Sequence, residues 1–461
     1  MKVGFITLGC DKNTVDTERY LAELSDYGGE YTAKLEQADV IIVNTCGFID
    51  AAKKESIDAM IEAARYKTDG ACRAVVSVGC MVERHKSELM DALPEVDLFL
   101  GASETGRLVP ELAERGIVGG DPVALHPGVR VYTGDLPHLR YLKISEGCDH
   151  GCAFCAIPIM RGKHRSFSRD EIIREAQLLE MQGAREVNLV AQDLAHYGRD
   201  IRDGVGLAEL LQSLLAETSI PWIRMLYLYS TGITPKLLDV LALEPRIMPY
   251  LDMPMQHASD AVLARMRRPE RKRTIRDRVG RFREAVPGVA IRTTCIVGFP
   301  GETEQDFQEL LEFLEETRFD RVGAFAYSPQ EGTKAAAMID DVPDAIKRER
   351  LERLTEMQRA ITAERYESRL GTVSRMIVDR IDENGRTVGR LPWQADDIDG
   401  ITIVDGAASP GDFIDVKVEE VVDDYDFLAT FVERVQTLPP RRHAGRQRTL
   451  PLAVTVGTYG R

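Results

Sequence analysis

Residues 147–166 read GCDHGCAFCAIPIMRGKHRS. Three of them, Cys148, Cys152 and Cys155, stand at the spacing C-x3-C-x2-C. Three thiolates on one short loop can hold three corners of an iron–sulfur cube. The fourth iron then has no protein ligand, and an open iron is a place for a cofactor or substrate to bind. Structural zinc prefers paired C-x2-C knuckles and four protein ligands. No second knuckle lies nearby, and His150, between Cys148 and Cys152, is awkwardly placed as a fourth ligand.

Three further cysteines share a different pattern. Cys10 follows an apolar run in LGCDKN, Cys46 follows another in NTCGFID, and Cys80 a third in VGCMVE. If the runs are parallel strands, their C-terminal loops converge, because ligands of open parallel sheets bind beyond the strand carboxyl ends. Three unrelated buried thiols are the alternative, since free cysteine is often buried. Asn13 and Gly47 are read as turn residues beside these cysteines. Cys72 precedes its strand and reads as structural, and Cys295 lies within a strand and reads as core.

The elements that must position these groups follow from periodicity. Up to residue 115, strands at 3–8, 40–43 and 74–78 alternate with helical patterns at 16–24 and 51–65, which predicts a small parallel sheet covered by helices. Residues 116–133 are rich in Gly and Pro and read as a linker. Residues 134–364 carry a longer β/α series, with strands at 141–144, 187–190, 223–228, 250–253, 289–297 and 321–326. Ser168 caps one of the helices and Thr234-Pro235 opens another. Six repeats predict a partial parallel barrel, two short of the closed eight-stranded form. Its working face is the one that carries the cysteine loop. A charged helix at 349–369 leads to residues 367–436, where turns at Asn384-Gly385, Asp405-Gly406 and Pro410-Gly411 separate short strands. A small antiparallel β barrel is expected there. Residues 437–461 read as a disordered tail.

The 461 residues suffice for three domains, and 44% hydrophobic with 29% charged residues is the composition of a water-soluble globular chain. No apolar run is long enough to cross a bilayer. The N-terminus MKVGFITLGC reads as a strand and lacks a cleavable leader pattern. A cytoplasmic location is therefore expected, where eight cysteines serve as ligands or core and not as disulfides. The net charge of −15 disfavours a nucleic-acid backbone as main partner and suits a basic protein or a small molecule. The final β region concentrates acid at Asp396, Asp397, Asp399, Asp412, Asp415, Glu419, Glu420, Asp423, Asp424 and Asp426.

With these residues in view, CDHGCAFC resembles the cluster loop of radical S-adenosylmethionine enzymes. The two cysteine triads and the terminal β region together resemble the methylthiotransferase family, over residues 2–436. That resemblance implies an N-terminal domain with an auxiliary 4Fe-4S cluster on Cys10, Cys46 and Cys80. It implies a second 4Fe-4S cluster on Cys148, Cys152 and Cys155 that binds S-adenosylmethionine, and a C-terminal TRAM domain.

Within the family, LGCDKNTVDTE, NTCGFIDAAKKESID, RGKHRS, YLDMPMQHASDAVLARMRR and IVGFPGET resemble the branch that modifies an aspartate in the twelfth protein of the small ribosomal subunit. The other branch modifies isopentenyl-adenosine in tRNA and usually has Glu where His164 stands. The acidic β region agrees with a basic protein as partner, with no direct tRNA substrate. Ser230 stands where the family commonly has Pro, which should alter a loop and not the chemistry.

The implied reaction uses a deoxyadenosyl radical to remove hydrogen from the aspartate β-carbon, then inserts sulfur that a second S-adenosylmethionine methylates. A one-electron reductant such as a flavodoxin and a sulfur donor are implied partners. Gln192, Asp193 and the turn beginning at Gly298 are candidate cofactor contacts by the same resemblance. Arg161, His164 and Arg165 are candidates to meet substrate carboxylates.

Overall fold

The structure, a computed structural model, describes residues 1–119 and 130–435. The tail expected at 437–461 and most of the linker expected at 116–133 lie outside the described residues.

Three apolar runs of the N-terminal region form buried parallel strands, Lys2–Thr7, Val40–Thr45 and Ala74–Gly79. Two short strands, Glu30–Tyr31 and Leu98–Gly101, complete a five-stranded parallel sheet at its edges. At two and four residues they are too short to give a period in the sequence. From one edge to the other the strands begin at residues 30, 2, 40, 74 and 98. Strands Lys2–Thr7 and Val40–Thr45 are therefore adjacent at the point where chain order reverses, the position at which such sheets open a crevice. Helices Asp11–Ser25, Asp50–Asp69 and Cys80–Ala92 cover the faces. The turn expected at Asn13 is instead the first turn of helix Asp11–Ser25.

Six parallel strands follow in chain order: Leu139–Lys143, Glu186–Val190, Trp222–Met225, Tyr250–Asp252, Ala290–Val297 and Arg321–Ala326. They form two three-stranded sheets. Backbone hydrogen bonds from Ile223 N to Arg246 O (2.7 Å) and Met248 N to Ile223 O (2.9 Å) join them into the expected partial barrel. Local chemistry accounts for the helix starts. Ser168 Oγ accepts from Glu171 N while Glu171 Oε2 accepts from Ser168 N, a closed capping box at helix Arg169–Met181. Thr234 Oγ1 accepts from Leu237 N, with Pro235 at the first helical position.

Helix Asp344–Glu367 leads to a closed five-stranded barrel of Val373–Ile381, Thr387–Arg390, Thr402–Val404, Phe413–Val422 and Asp426–Val435. It is not wholly antiparallel: Thr402–Val404 and Asp426–Val435 run parallel, which closes it. This barrel docks on the central one through buried ions. Glu186 receives Arg224 (2.9 Å) and Arg390 (2.7 Å), Arg390 also holds Asp379 (2.7 Å), and Asp379 bonds His138 (2.9 Å).

The docking changes the reading of the acidic region. Asp399 is buried against Tyr250, whose hydroxyl donates at 2.6 Å, and Asp396 accepts from the Tyr141 hydroxyl at 3.1 Å. Asp415 pairs with Arg375, Asp424 with Arg359 and Glu419 with Lys417. Several of the acids thus hold the fold together, and Glu420 and Asp423 are among those exposed to solvent.

Candidate active site

Three loops leave the N-terminal sheet at the carboxyl ends of its three inner strands, and each carries a thiol. Their approach needs glycine. At Gly9 (φ +94°) a Cβ would meet Cys46 Cβ at 2.9 Å, and at Gly47 a Cβ would meet Met81 Cα at 2.8 Å. The Cys10 loop therefore lies against the Cys46 loop, and that loop against the start of the Cys80 helix. Asn13 ties the first two from within. Its Nδ2 donates to Leu8 O (2.6 Å) and Thr45 O (3.2 Å).

The second triad sits on a loop pinned at both ends. Cys148 N donates to Gly162 O (3.1 Å), Ala153 N to Met266 O (2.9 Å), and Ala335 N to Ala153 O (2.8 Å). The loop continues into helix Ile157–Arg161. Ala156 and Met160 pack on Cys80, so the two triads face each other across one interface.

All eight cysteines are free thiols. Burial pushes the Cys148 thiol up to about 11 and the Cys80 and Cys155 thiols up to about 12. Neutral buried thiols lose their protons when metal takes the proton's place. Sulfur donors in two groups of three, with no disulfide among them, fit iron–sulfur clusters that each keep one open iron.

The interface is braced by charge. Arg161 Nε donates to Cys80 Sγ at 3.0 Å, and its Nη1 reaches Asp16 (2.6 Å) and Glu146 (3.2 Å). Its remaining nitrogen bonds Asn13 Oδ1. Lys143 bonds the same Asp16 and Glu146. Burial alone would raise the Asp16 carboxyl, but the charges of Lys143 and Arg161 outweigh it and bring it to about 2. Arg161, read from sequence as a substrate contact, is therefore a buried strut between domains. His164 is likewise buried, on Ser166 Oγ (3.0 Å), while Arg165 is exposed.

The loop after strand Trp222–Met225 touches the second triad and reaches the helix that follows Cys10. The Tyr229 hydroxyl lies 2.9 Å from Cys152 Sγ, and the Arg268 guanidinium covers the Tyr229 ring at 3.8 Å. His150 stacks on that ring at 4.0 Å and bonds Asp193 Oδ2 at 2.8 Å. Two residues earlier, the Tyr227 hydroxyl donates to Asp11 at 3.1 Å. Ser230 joins Glu270 (3.3 Å) and Arg278 (3.0 Å) through its hydroxyl.

Gln192 and Asp193 follow the second barrel strand on the same side. Gln192 Nε2 donates to Glu146 at 2.9 Å, leaving its buried Oε1 without a partner among the described residues. Asp193 Oδ1 accepts from Ala195 N and Tyr229 N, so the carboxylate also shapes the loop. Gly298 (φ +71°) turns the chain at the end of strand Ala290–Val297, and its N–H donates to Glu302 at 2.8 Å.

The residues that sequence reading passed over are Lys12, Asp16, Lys143, Glu146, Tyr227, Tyr229 and Arg268. Lys12 and Asp16 had a signal, since both lie on the helix that begins immediately after Cys10. Tyr227, Tyr229 and Arg268 had none, because tertiary folding alone brings them to the thiols.

Family patterns divide the chain as the fold does. Residues 2–101 match the uncharacterized protein family UPF0004, residues 142–314 the radical SAM superfamily, and residues 370–432 the TRAM domain. A protein of Anaeromyxobacter sp. (strain K) named ribosomal protein uS12 methylthiotransferase RimO is 45% identical over 435 residues, spanning 93% of this chain and 92% of that one. The chain belongs to the RimO family. A RimO of Desulforudis audaxviator is 44% identical over 90% of this chain and 94% of its own length. The radical S-adenosylmethionine methyltransferase TsrM of Kitasatospora setae, solved with cobalamin and a [4Fe-4S] cluster, superposes with TM-score 0.51 over 70% of this chain and 72% of that one. At 11% identity that likeness concerns the fold alone. RimO-type enzymes of the radical SAM class use S-adenosylmethionine and two 4Fe-4S clusters, which the two thiol groups here fit.

Proposed function

We propose that this protein is the methylthiotransferase that modifies an aspartate of ribosomal protein uS12 at its β-carbon. The observation that carries the reading is the facing of two cysteine triads across one interface, joined by Arg161 and Cys80. Cys10, Cys46 and Cys80 hold the auxiliary cluster, and Cys148, Cys152 and Cys155 hold the cluster that binds S-adenosylmethionine. When bound, these groups supply one-electron chemistry that breaks an unactivated C–H bond, together with the sulfur and methyl to be transferred.

The chain's own residues do the positioning. Arg161, Asp16, Lys143 and Glu146 hold the two domains in one register, as a buried ionic network can when its members are all satisfied. Tyr229 and Arg268 sit on Cys152 and stabilise negative charge on its sulfur. Gln192, Asp193 and the turn at Gly298 border the cofactor's place at the strand ends. Gln192 Oε1 is an acceptor free to take an N–H of the cofactor.

The substrate protein is basic, and solvent-facing acids of the terminal barrel, Glu420 and Asp423, suit it. A one-electron reductant such as a flavodoxin and a sulfur donor complete the cycle, in the cytoplasm. No helix among the described residues is long and apolar enough to cross a membrane.

The test is to incubate reduced, reconstituted enzyme and S-adenosylmethionine with uS12 or with tRNA carrying isopentenyl-adenosine. The expected result is one methylthio group gained by uS12. A gain on tRNA alone would overturn the reading.

A further inference from the structure

Lys12 is the second residue after Cys10, in the first turn of helix Asp11–Ser25. Its side chain is buried, with 7% of the residue exposed. The ammonium lies 3.1 Å from the centre of the Tyr227 ring. Tyr227 belongs to the loop whose Tyr229 touches Cys152, so Lys12, two residues from Cys10, packs on a loop that reaches the other triad. It makes no hydrogen bond or ion pair among the described residues.

That isolation sets it apart from its neighbours. Lys143 and Arg161 share Asp16 and Glu146, Arg268 has Glu270, and Arg292 has Asp252. The two carboxylates that bond Tyr227, the residue under Lys12, are committed elsewhere. Asp11 accepts from the Tyr227 hydroxyl, and Asp252 accepts from Tyr227 N and Arg292. A buried cation is costly unless negative charge lies near it, and an incoming carboxylate lowers that cost beyond what the thiolates about Cys10 supply. A cation on an aromatic face retains part of its stabilisation meanwhile.

The surroundings are also strained. Tyr227 has φ +65°, a left-handed conformation costly for an aromatic residue, held by the bonds to Asp11 and Asp252. The fold therefore spends stability to place this ring under Lys12.

We propose that Lys12 binds the side-chain carboxylate of the substrate aspartate and is the residue that selects an acid over its amide. The inference rests on the function proposed above. The carboxyl carbon is bonded directly to the β-carbon that reacts. Fixing the carboxylate at Lys12 therefore fixes the reacting carbon between the two cluster sites, and the single charge supplies the discrimination. An asparagine presented there would leave the ammonium buried and uncompensated.

The experiment compares the holoenzyme with its Lys12→Met, Lys12→Gln and Lys12→Arg variants. Each is measured for equilibrium binding of uS12 and of a uS12 variant with asparagine at the aspartate that gains the methylthio group. Iron content and thermal melting show which variants fold and load. The unaltered holoenzyme is expected to bind the aspartate form about 10- to 100-fold more tightly than the asparagine form. Lys12→Met and Lys12→Gln are expected to bind both alike, and Lys12→Arg to restore the preference.

Either neutral variant keeping the full preference would overturn the proposal. A rise in the KM for S-adenosylmethionine, with uS12 affinity unchanged, would also overturn it by assigning Lys12 to the cofactor's carboxylate. Absence of any methylthio gain on uS12 from the unaltered holoenzyme would instead overturn the function on which the inference rests, and the inference with it.

Discussion

Arg161 Nε donates a 3.0 Å hydrogen bond to Cys80 Sγ, so the helix that follows one cysteine triad is bonded to a member of the other. The same guanidinium meets Asp16, Asn13 and Glu146. Removing it leaves the buried Asp16 and the half-buried Glu146 to share Lys143, which costs roughly 3 kcal/mol. Arg161→Met should therefore loosen the interface before it unfolds either domain. Amide hydrogen exchange in helix Asp11–Ser25 should rise about 100-fold. Unchanged exchange there would show that Arg161 is not the strut.

Acid should undo the same network. Asp16 lies at about 2 when folded, below its ordinary 3.8. A carboxyl lowered by folding adds stability above its unfolded value and loses it as pH falls through the folded one. The contribution, on the order of 2 kcal/mol, is whole at pH 5 and disappears between about pH 4 and pH 2. In the metal-free chain, Asp16→Asn should flatten this part of the stability profile. A profile equally steep in the variant would refute the assignment.

Asp396 behaves in the opposite sense. Burial first, and the neighbouring Asp397 in addition, push its carboxyl up to about 6, against the pull of Arg390. The folded state then binds the proton more tightly than the unfolded chain, so stability falls as pH rises from about 4 to 6. Asp396→Asn keeps an acceptor for the Tyr141 hydroxyl and removes the charge. It should stabilise the docked terminal barrel at pH 8 by up to about 3 kcal/mol and do nothing at pH 4. Equal effects at both pH values in thermal melting would contradict this.

The two thiol groups should be separable by metal analysis. Cys46→Ala and Cys152→Ala should each retain about four of about eight irons. Cys72→Ser and Cys295→Ser should retain all of them, because Cys72 bonds Ala74 O and Cys295 is enclosed in strand Ala290–Val297. Loss of iron from either control would reassign the ligands.

Much of this architecture was legible in the sequence, for identifiable reasons. The strand runs at 40–43 and 74–78 are continuous and apolar because both faces of a parallel sheet are covered. Ser168 and Thr234 announce helices through local bonds that need no tertiary partner. The second cysteine triad was legible through its C-x3-C-x2-C spacing, and the first through the shared place of its members just after three apolar runs. What was not legible depends on distant chain segments. Arg161 looked like a contact for substrate carboxylates, since nothing nearby in sequence shows that Asp16 and Asn13 fold against it. The acidic residues 396 and 399 looked like surface charge, since only docking brings Tyr141 and Tyr250 to them. Asn13 looked like a turn residue, since its side chain chemistry suits a turn equally well, and the helix beginning at Asp11 takes it.

In the proposed reaction both thiol groups act on one carbon of one aspartate. Isotope labelling decides this, with uS12 whose aspartates carry deuterium at the β-carbon. After reaction with reduced enzyme and S-adenosylmethionine, one methylthio group is expected on a single aspartate and one deuterium in the released 5′-deoxyadenosine. Methylthiolation with no deuterium in the deoxyadenosine, or no methylthio group on any aspartate of uS12, would contradict it.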